Sequence, residues 1–348
     1  MRTVAIARAN TLPPSNYWNR SLGDLAIEAA APIVADFEAQ AVFAAGTGAS
    51  HVQAHQADFA AIVADRLGLN SRISLTLDAA DVSGAAALYT AWIHVRHGLC
   101  ETALVVAAAK VSDVSEAERL ALMDRTLDQE AEIVSGLSFA SQAGLLAGYY
   151  CSARGKEANA FTDASAANYA AWAKHCEGTV VTGADLRRDL VAALPLVRTD
   201  FAQLLDGACA VLLTVDDTKQ PAVLDSVATA GDVVALWERP EPLAFRAVSD
   251  AAASALRGKA MPCWLEIDAA ASVVQVLSLD ALPKPCGAFA MNLMGGSQGR
   301  GRVLGASPLY QLADAITAKP PCTDLLAVSV AGLGSRAYAA HISRRAAA

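Results

Sequence analysis

Asp81 stands where a strand-like run gives way to a helix-like one. Ile73 to Leu77 is apolar and β-favouring, and Ala85 to His97 is rich in small helix formers. The stretch Leu75-Thr-Leu-Asp78-Ala-Ala-Asp81-Val-Ser-Gly84 therefore sets one carboxylate at the start of a helix, in apolar surroundings. Free backbone N–H groups and the helix dipole favour negative charge there, which suits a nucleophile or an anion site. Asp is equally a plain N-cap residue, and this stretch alone leaves both readings open. A second concentration of chemistry-bearing and permissive residues is Met291-Asn-Leu-Met-Gly-Gly-Ser-Gln-Gly-Arg-Gly-Arg302-Val-Leu-Gly-Ala306. It carries no Gly-Lys-Ser/Thr, and no Gly-x-Gly-x-x-Gly follows a strand, so it argues against a nucleotide-phosphate loop.

Other reactive side chains offer less. His51 and His55 have the i, i+4 spacing of a helical metal pair, but the lead-in Gly46-Thr-Gly-Ala-Ser50 reads as a loop. No metal site is expected. His94 and His97 end the helix after Asp81, where His97 complements the dipole. Cys209 lies in an apolar strand and reads as packing. Tyr310 and Tyr338 could act as acids or serve as core tyrosines.

The elements that would position these groups alternate. Met1 to Ala7 reads as a strand, Ser21 to Phe37 as a helix, Ala41 to Ala45 as a strand and Ala54 to Leu67 as a helix. Ile73–Leu77, the helix ending at Gly98, and the strand Thr102–Ala109 follow. The strands are apolar throughout, as in a sheet covered on both faces. From Val111 to about Ala202, charged and helical segments (Ala143–Arg154, Asn159–Lys174) suggest an insertion. Asp206-Gly-Ala-Cys-Ala-Val-Leu-Leu-Thr-Val215 then returns to a strand, and Asp216 to Pro221 reads as a linker. The order restarts with a strand Ala222–Val227, a helix Leu243–Leu256, a strand Trp264–Ile267, a helix Leu309–Ala318, and strands Leu325–Val330 and Ala337–Ile342. Asp81-Val-Ser-Gly84-Ala and Arg302-Val-Leu-Gly305-Ala share a frame, one in each half, which points to a duplicated unit.

Composition sets the outer limits. The chain has 348 residues, 54% hydrophobic and 18% charged, enough for a large core in one big or two moderate domains. A formal net charge of −8, with no basic run beyond Arg344-Arg345, argues against nucleic acid. The longest apolar run near the middle, Ala103 to Ala109, is too short to span a bilayer. The N-terminus, with only Val4 to Ala7 apolar, does not read as a signal peptide. Seven scattered cysteines, none in a Cys-x-x-Cys pair, fit neither a zinc ribbon nor a disulfide framework and suggest a reduced cytoplasm.

Together these features resemble the thiolase superfamily over nearly the whole chain, closest to the sterol-carrier-protein-type thiolases. Asn292-x-x-Gly295-Gly296-x4-Gly301-Arg302-Val303-x-Gly305-Ala306 matches the family's Asn-x-x-Gly-Gly-x4-Gly-His-Pro-x-Gly-Ala in length and in every glycine. Asp206-Gly-Ala-x-Ala210 resembles its Asp-Gly-Ala-Ala-Ala strand, and Gly332-Leu-Gly334 its C-terminal glycine turn. Asp81-Val-Ser-Gly84 occupies the slot of its Cys-x-Ser-Gly nucleophile turn. The departures fall on the chemical positions. The nucleophile is replaced by Asp81, the His of Gly-His-Pro by Arg302, and the Asn-Glu-Ala-Phe or His-Asp-Ala-Phe motif by Asp268-Ala-Ala-Ala271. The C-terminal Cys-x-Gly becomes Ala331-Gly-Leu-Gly. Cys286 is the one thiol next to the second-half signature.

The resemblance implies a duplicated α/β/α/β/α five-layer fold. Residues 1–220 would be the N-terminal half, with an inserted helical segment at 112–205, and 221–348 the C-terminal half. It implies that Asp81, Arg302 and Asp268 converge as a substituted charge cluster. Gly295, Gly296, Gly305, Gly332 and Gly334 would border a coenzyme A thioester bound as substrate or ligand, with no separate cofactor. A carboxylate is a poor acyl acceptor from a thioester, so Cys-type Claisen chemistry is not expected. The function implied is a non-catalytic or scaffolding acyl-CoA-binding subunit of a thiolase-type complex. The alternative is an acyl-CoA aldolase or lyase that uses Asp81 as base beside Arg302. A dimer pairing through Ile73–Leu77 and a zinc-ribbon/OB-fold partner protein are the implied associations.

Overall fold

Two successions of strand and helix follow one another in the same order. The structure, a computed structural model, describes residues 1–46, 55–176, 182–216, 219–284, 289–317 and 323–345. The first succession is β1 (Val4–Ser15), α1 (Leu22–Val34), β2 (Ala41–Ala45), α2 (Phe59–Arg66), β3 (Ile73–Leu77), α3 (Ser83–His97) and β4 (Thr102–Ala109). It continues through helices α4 (Glu116–Asp124), α5 (Phe139–Arg154), α6 (Asn159–Ala173) and α7 (Gly183–Leu186). A small hairpin, β5 (Val191–Ala193) and β6 (Leu196–Val197), precedes β7 (Asp206–Val215). The second succession begins with β8 (Ala222–Gly231), α8 (Arg246–Leu256), β9 (Trp264–Asp268), α9 (Ser272–Ala281) and β10 (Ala290–Met291). It ends with α10 (Gly296–Arg300), α11 (Ser307–Thr317), β11 (Asp324–Ala331) and β12 (Arg336–Arg344).

Ten strands form one sheet in the order β10-β9-β11-β12-β8-β1-β7-β4-β2-β3. β2 runs parallel to β3 and β4, and β7 runs antiparallel to β4 and β1. The same relations hold in the second set: β9 is parallel to β10 and β11, and β12 is antiparallel to β11 and β8. Among the described residues, the strand pairs Ala5↔Val223 and Ile6↔Ala222 join the two sets. Helices α1 and α2 pack on β1, β2, β4 and β7, whereas α8 and α9 pack on the second set. α3 and α11 touch each other, and each also reaches strands of the other set. These two helices form the middle of five layers, so β2 and β4 are buried along their length, as their unbroken apolar runs anticipate.

Several element ends differ from the sequence reading for identifiable reasons. β1 continues to Ser15 because β7 pairs with it as far as Asp206, with a register shift between Leu12 and Ser15 that takes in Pro13 and Pro14. α2 starts at Phe59, where the Asp58 side chain accepts the Ala61 amide. α3 ends as expected at Gly98, whose φ of 78° suits a residue without a side chain. Cys263 is disulfide-bonded, which the scattered cysteine spacing did not announce, whereas Cys100, Cys151, Cys176 and Cys209 are free. His51 and Cys286 lie outside the described residues. Among the described residues no group of three or more potential ligands could hold a metal, and no helix is long and apolar enough to cross a membrane.

Candidate functional site

The turn between β3 and α3 is held by short side chains. Asp78 Oδ1 accepts the Ala80 amide at 2.9 Å, and Ser83 Oγ accepts the Ala79 amide at 2.8 Å. Ala80 is thereby held at φ 52°, a left-handed conformation costly for alanine. Asp81 follows in a 3₁₀ turn, and Val82, not Asp81, precedes the first residue of α3. The N-cap reading of Asp81 is therefore not realised, because its side chain turns inward.

What it meets is Arg302. Arg302 Nη2 donates to Asp81 Oδ2 at 3.1 Å, and Nη1 donates to Asp268 Oδ1 at 2.7 Å. The Gly332 amide faces both oxygens of Asp81 at 3.3 Å, and Ser297 Oγ donates to Asp268 Oδ1. Asp81, Arg302 and Asp268 are 1%, 0% and 2% exposed. Removing charges from water this completely is tolerable only because each is paired. Burial raises the Asp81 carboxyl to about 6, against the pull of Arg302 and with the Asp268 charge adding to the rise.

The backbone fixes this geometry from three directions. Asp268 is the last residue of β9, and Glu266 shares its face through the two-residue alternation of a strand. Arg302 is clamped between Gln203 and Leu205: its amide donates to Gln203 at 2.8 Å and its carbonyl accepts from Leu205 at 2.9 Å. Gly332 sits at φ 50° in the turn after β11, which points its amide at Asp81.

A second buried charge group is drawn from β9, α10 and α11. Arg300 Nη1 pairs with Asp314 at 2.7 Å, and Glu266 Oε1 accepts from Trp264 Nε1 and the Leu293 amide, each at 2.8 Å. Burial, aided by the Asp314 charge, lifts the Glu266 carboxyl to about 8. Burial also raises Asp314 and holds the Tyr310 phenol well above its ordinary range. The Tyr310 hydroxyl is engaged by the carbonyls of Leu12 and Ala208, and burial pushes the Cys209 thiol up, so neither is poised for proton transfer or attack. Tyr338 packs with Val82, Ala85, Ala86 and Ala331, edge-on to Tyr89.

The glycines serve close approach within the chain. A Cβ on Gly295 would lie 2.6 Å from Trp172 Cβ, one on Gly296 would lie 2.6 Å from Asn292 Nδ2, and one on Gly334 would meet the Phe245 ring at 2.9 Å. Gly305 has φ 74°, and its carbonyl receives the Gly84 amide. The residues missed from the sequence are polar groups that hold the site. Ser297 is one; its position as the hydroxyl inside the glycine motif was the available signal. Asn168, on α6, is another: it donates to Gln275 at 2.7 Å and Gln298 at 2.8 Å, and accepts from Asn292 at 3.1 Å. Nothing local in an isolated helix marks such a residue.

Chemically, the turn between β3 and α3 presents a carboxylate whose oxygens are taken by a guanidinium and an amide. A carboxyl near pH 6 could take up a proton, but it cannot form a thioester intermediate.

No family model matches the chain. It is 24% identical over 351 residues to acetyl-CoA acetyltransferase of Methanothermobacter thermautotrophicus, covering 91% of this chain and 90% of that protein. It is 29% identical over 154 residues to acetyl-CoA acetyltransferase of Methanocaldococcus jannaschii, covering 43% and 39%. Among solved structures, the Ltp2-ChsH2(DUF35) aldolase superposes with a TM-score of 0.81 at 15% identity, covering 98% of both chains. Human mitochondrial 3-ketoacyl-CoA thiolase in complex with CoA superposes with 0.78 at 16% identity, covering 99% and 98%.

Proposed function

We propose that this chain, whose fold is that of the thiolase superfamily, is an acyl-CoA-binding subunit whose own acyl-transfer centre has become structural. The observation that carries this reading is Arg302, fully buried and bonded to both Asp81 and Asp268. Where an acyl acceptor would stand, a salt cluster fills the space and completes the fold. The acyl-CoA assignment is supported by the acetyl-CoA acetyltransferases it resembles and by the CoA-bound thiolase of like fold.

In this reading residues 1–220 and 221–348 are the two halves of a duplication, and 112–205 is the insertion. Gly295, Gly296, Gly305, Gly332 and Gly334 shape the floor beneath a coenzyme A thioester. The chain works in the cytoplasm as a homodimer, or paired with a Cys-bearing thiolase subunit, and a zinc-ribbon/OB-fold protein is the further partner. The test is turnover by the purified chain, alone and mixed with a Cys-bearing paralogue. The expected result is acyl-CoA binding without thiolysis by the chain alone. Thiolytic turnover by the isolated chain would overturn the reading.

A second reading, an aldolase or lyase acting on an acyl-CoA, is favoured by the likeness to an aldolase assembly and by the Asp81 carboxyl near 6. Asp81 would be the base, and Arg302 would steady the developing negative charge. Retro-aldol cleavage that disappears in Asp81→Asn, with folding intact, would favour this second reading over the first.

A further inference from the structure

Arg302 holds each of its two carboxylates by a single bond, Nη1 to Asp268 and Nη2 to Asp81. A bidentate pair would fix its own geometry; a single bond does not. Ser297 adds a bond to the same Asp268 Oδ1, while Asp268 Oδ2 and Arg302 Nε have no hydrogen-bond partner among the described residues. The direction in which Asp268 points is therefore left to its main chain.

That main chain is gripped on both sides. The Ile267 amide donates to Asn292 Oδ1 at 2.8 Å, and the Ala269 carbonyl accepts from Gln298 Nε2 at 3.2 Å. Asn168 of α6 links the two: its Oδ1 accepts from Asn292 Nδ2 at 3.1 Å, and its Nδ2 donates to Gln298 Oε1 at 2.8 Å. These bonds close a ring that starts at the residue before Asp268 and ends at the residue after it. All of them run in one sense, from the Ile267 N–H through three amides to the Ala269 carbonyl. The two backbone groups thus dictate which way each amide faces, and a one-way chain polarises every member. Asn292, Asn168 and Gln298 are 0%, 2% and 2% exposed, so water does not compete for these bonds. Gln275 Oε1 braces the ring, accepting from Asn168 at 2.7 Å and from Asn292 at 3.3 Å. Gly299 lets α6 come this close: a Cβ there would lie 2.3 Å from the Asn168 carbonyl oxygen.

We infer that Asn168 is a positioning residue for the charge centre: it closes a hydrogen-bonded ring around the main chain of Asp268 and so aims that carboxylate at Arg302. The position calls for a donor and an acceptor on one short neutral side chain, which is what an amide supplies. The assignment concerns the geometry of the centre and holds under either reading of its function.

Carbon-13 NMR titration of the Asp81 carboxyl in the full chain tests it, with the resonance assigned by its loss in Asp81→Asn. Asp81 faces Arg302, which lowers its carboxyl, and Asp268, which raises it. Once Asp268 is no longer aimed at the guanidinium, Arg302 turns to Asp81 alone. The midpoint in Asn168→Leu should then fall by about half a pH unit or more. Phe161→Leu loosens the same helix at a fully buried ring that gives no bond to the network, and its midpoint should match the unmodified protein. An unchanged midpoint in Asn168→Leu would overturn the inference, and so would an equal fall in Phe161→Leu. Gln298→Met opens the ring at the next member and decides the matter if Asn168→Leu does not fold: a fall of the same size supports the ring, and an unchanged midpoint overturns it.

Discussion

Gly84 donates its amide to the carbonyl of Gly305 at 2.8 Å, and a Cβ on Gly84 would lie 2.5 Å from that oxygen. These are the glycines of the two x-Val-x-Gly-Ala frames, so the repeated stretches meet at the centre of the molecule. The contact lets α3 approach the residues before α11, and it brings Asp81 and Arg302 within bonding distance of each other. Gly84→Ala should destabilise the chain by about 2–3 kcal/mol, because backbone rather than a flexible side chain must move. Urea unfolding checks this, and a loss below about 1 kcal/mol would show that the approach can relax.

Removing the cation should cost more than removing the whole cluster. Arg302→Met leaves Asp81 and Asp268 buried without a counter-charge and should cost about 3–5 kcal/mol. Asp81→Asn and Asp268→Asn added to it should recover much of that loss. Equal stability of the single and triple variants would mean that the carboxylates are not held charged against Arg302.

Stability should depend on pH through raised carboxyls, Asp81 and Glu266 among them. A carboxyl whose folded value lies above its unfolded one binds a proton that the unfolded chain has already released. Its contribution is complete below about pH 4 and is lost as pH rises through the folded value. For Asp81 the loss falls between about 4 and about 6, and for Glu266 between about 4.5 and about 8. Asp206 and Asp225 are shifted down and act in the opposite sense at lower pH. The difference between wild type and Glu266→Gln isolates the effect: thermal melts from pH 5 to 9 should show the wild type losing stability relative to the variant. A constant difference would rule out a raised Glu266.

β3 ends the sheet, and Leu75 on it is 43% exposed. A free apolar edge strand invites pairing. Leu75→Lys should convert a dimer into a monomer in light scattering while leaving the fold intact. An unmodified chain that is monomeric at micromolar concentration would remove the β3 edge as the interface.

The duplicated order was legible because β2 and β4 are buried on both faces and leave unbroken apolar runs between helical spacings. Asp268 stood in the stretch matched to the Asn-Glu-Ala-Phe or His-Asp-Ala-Phe motif, and β9 carries it to Arg302. The capping role of Asp81 was a plausible local reading that failed, since Asp78 and Ser83 stabilise the turn and the attraction of Arg302 draws Asp81 inward. Ser297 carried a signal only as the hydroxyl inside the glycine motif. Asn168 carried none: it bonds Gln275, Asn292 and Gln298, each more than a hundred residues away, and no local pattern records such partners.

Among the described residues the two halves of the sheet pair through Ala5↔Val223 and Ile6↔Ala222, yet the charge cluster draws Asp81 from one half and Asp268, Arg302 and Gly332 from the other. Contacts spanning more than two hundred residues close late in folding, after each half has collapsed on its own nearer partners. The pairing of Asp81 with Arg302 waits until the halves dock, so the desolvation of that pair is deferred to the final step. The centre then checks assembly: halves that meet out of register leave Arg302 with Asp268 alone, without its second carboxylate.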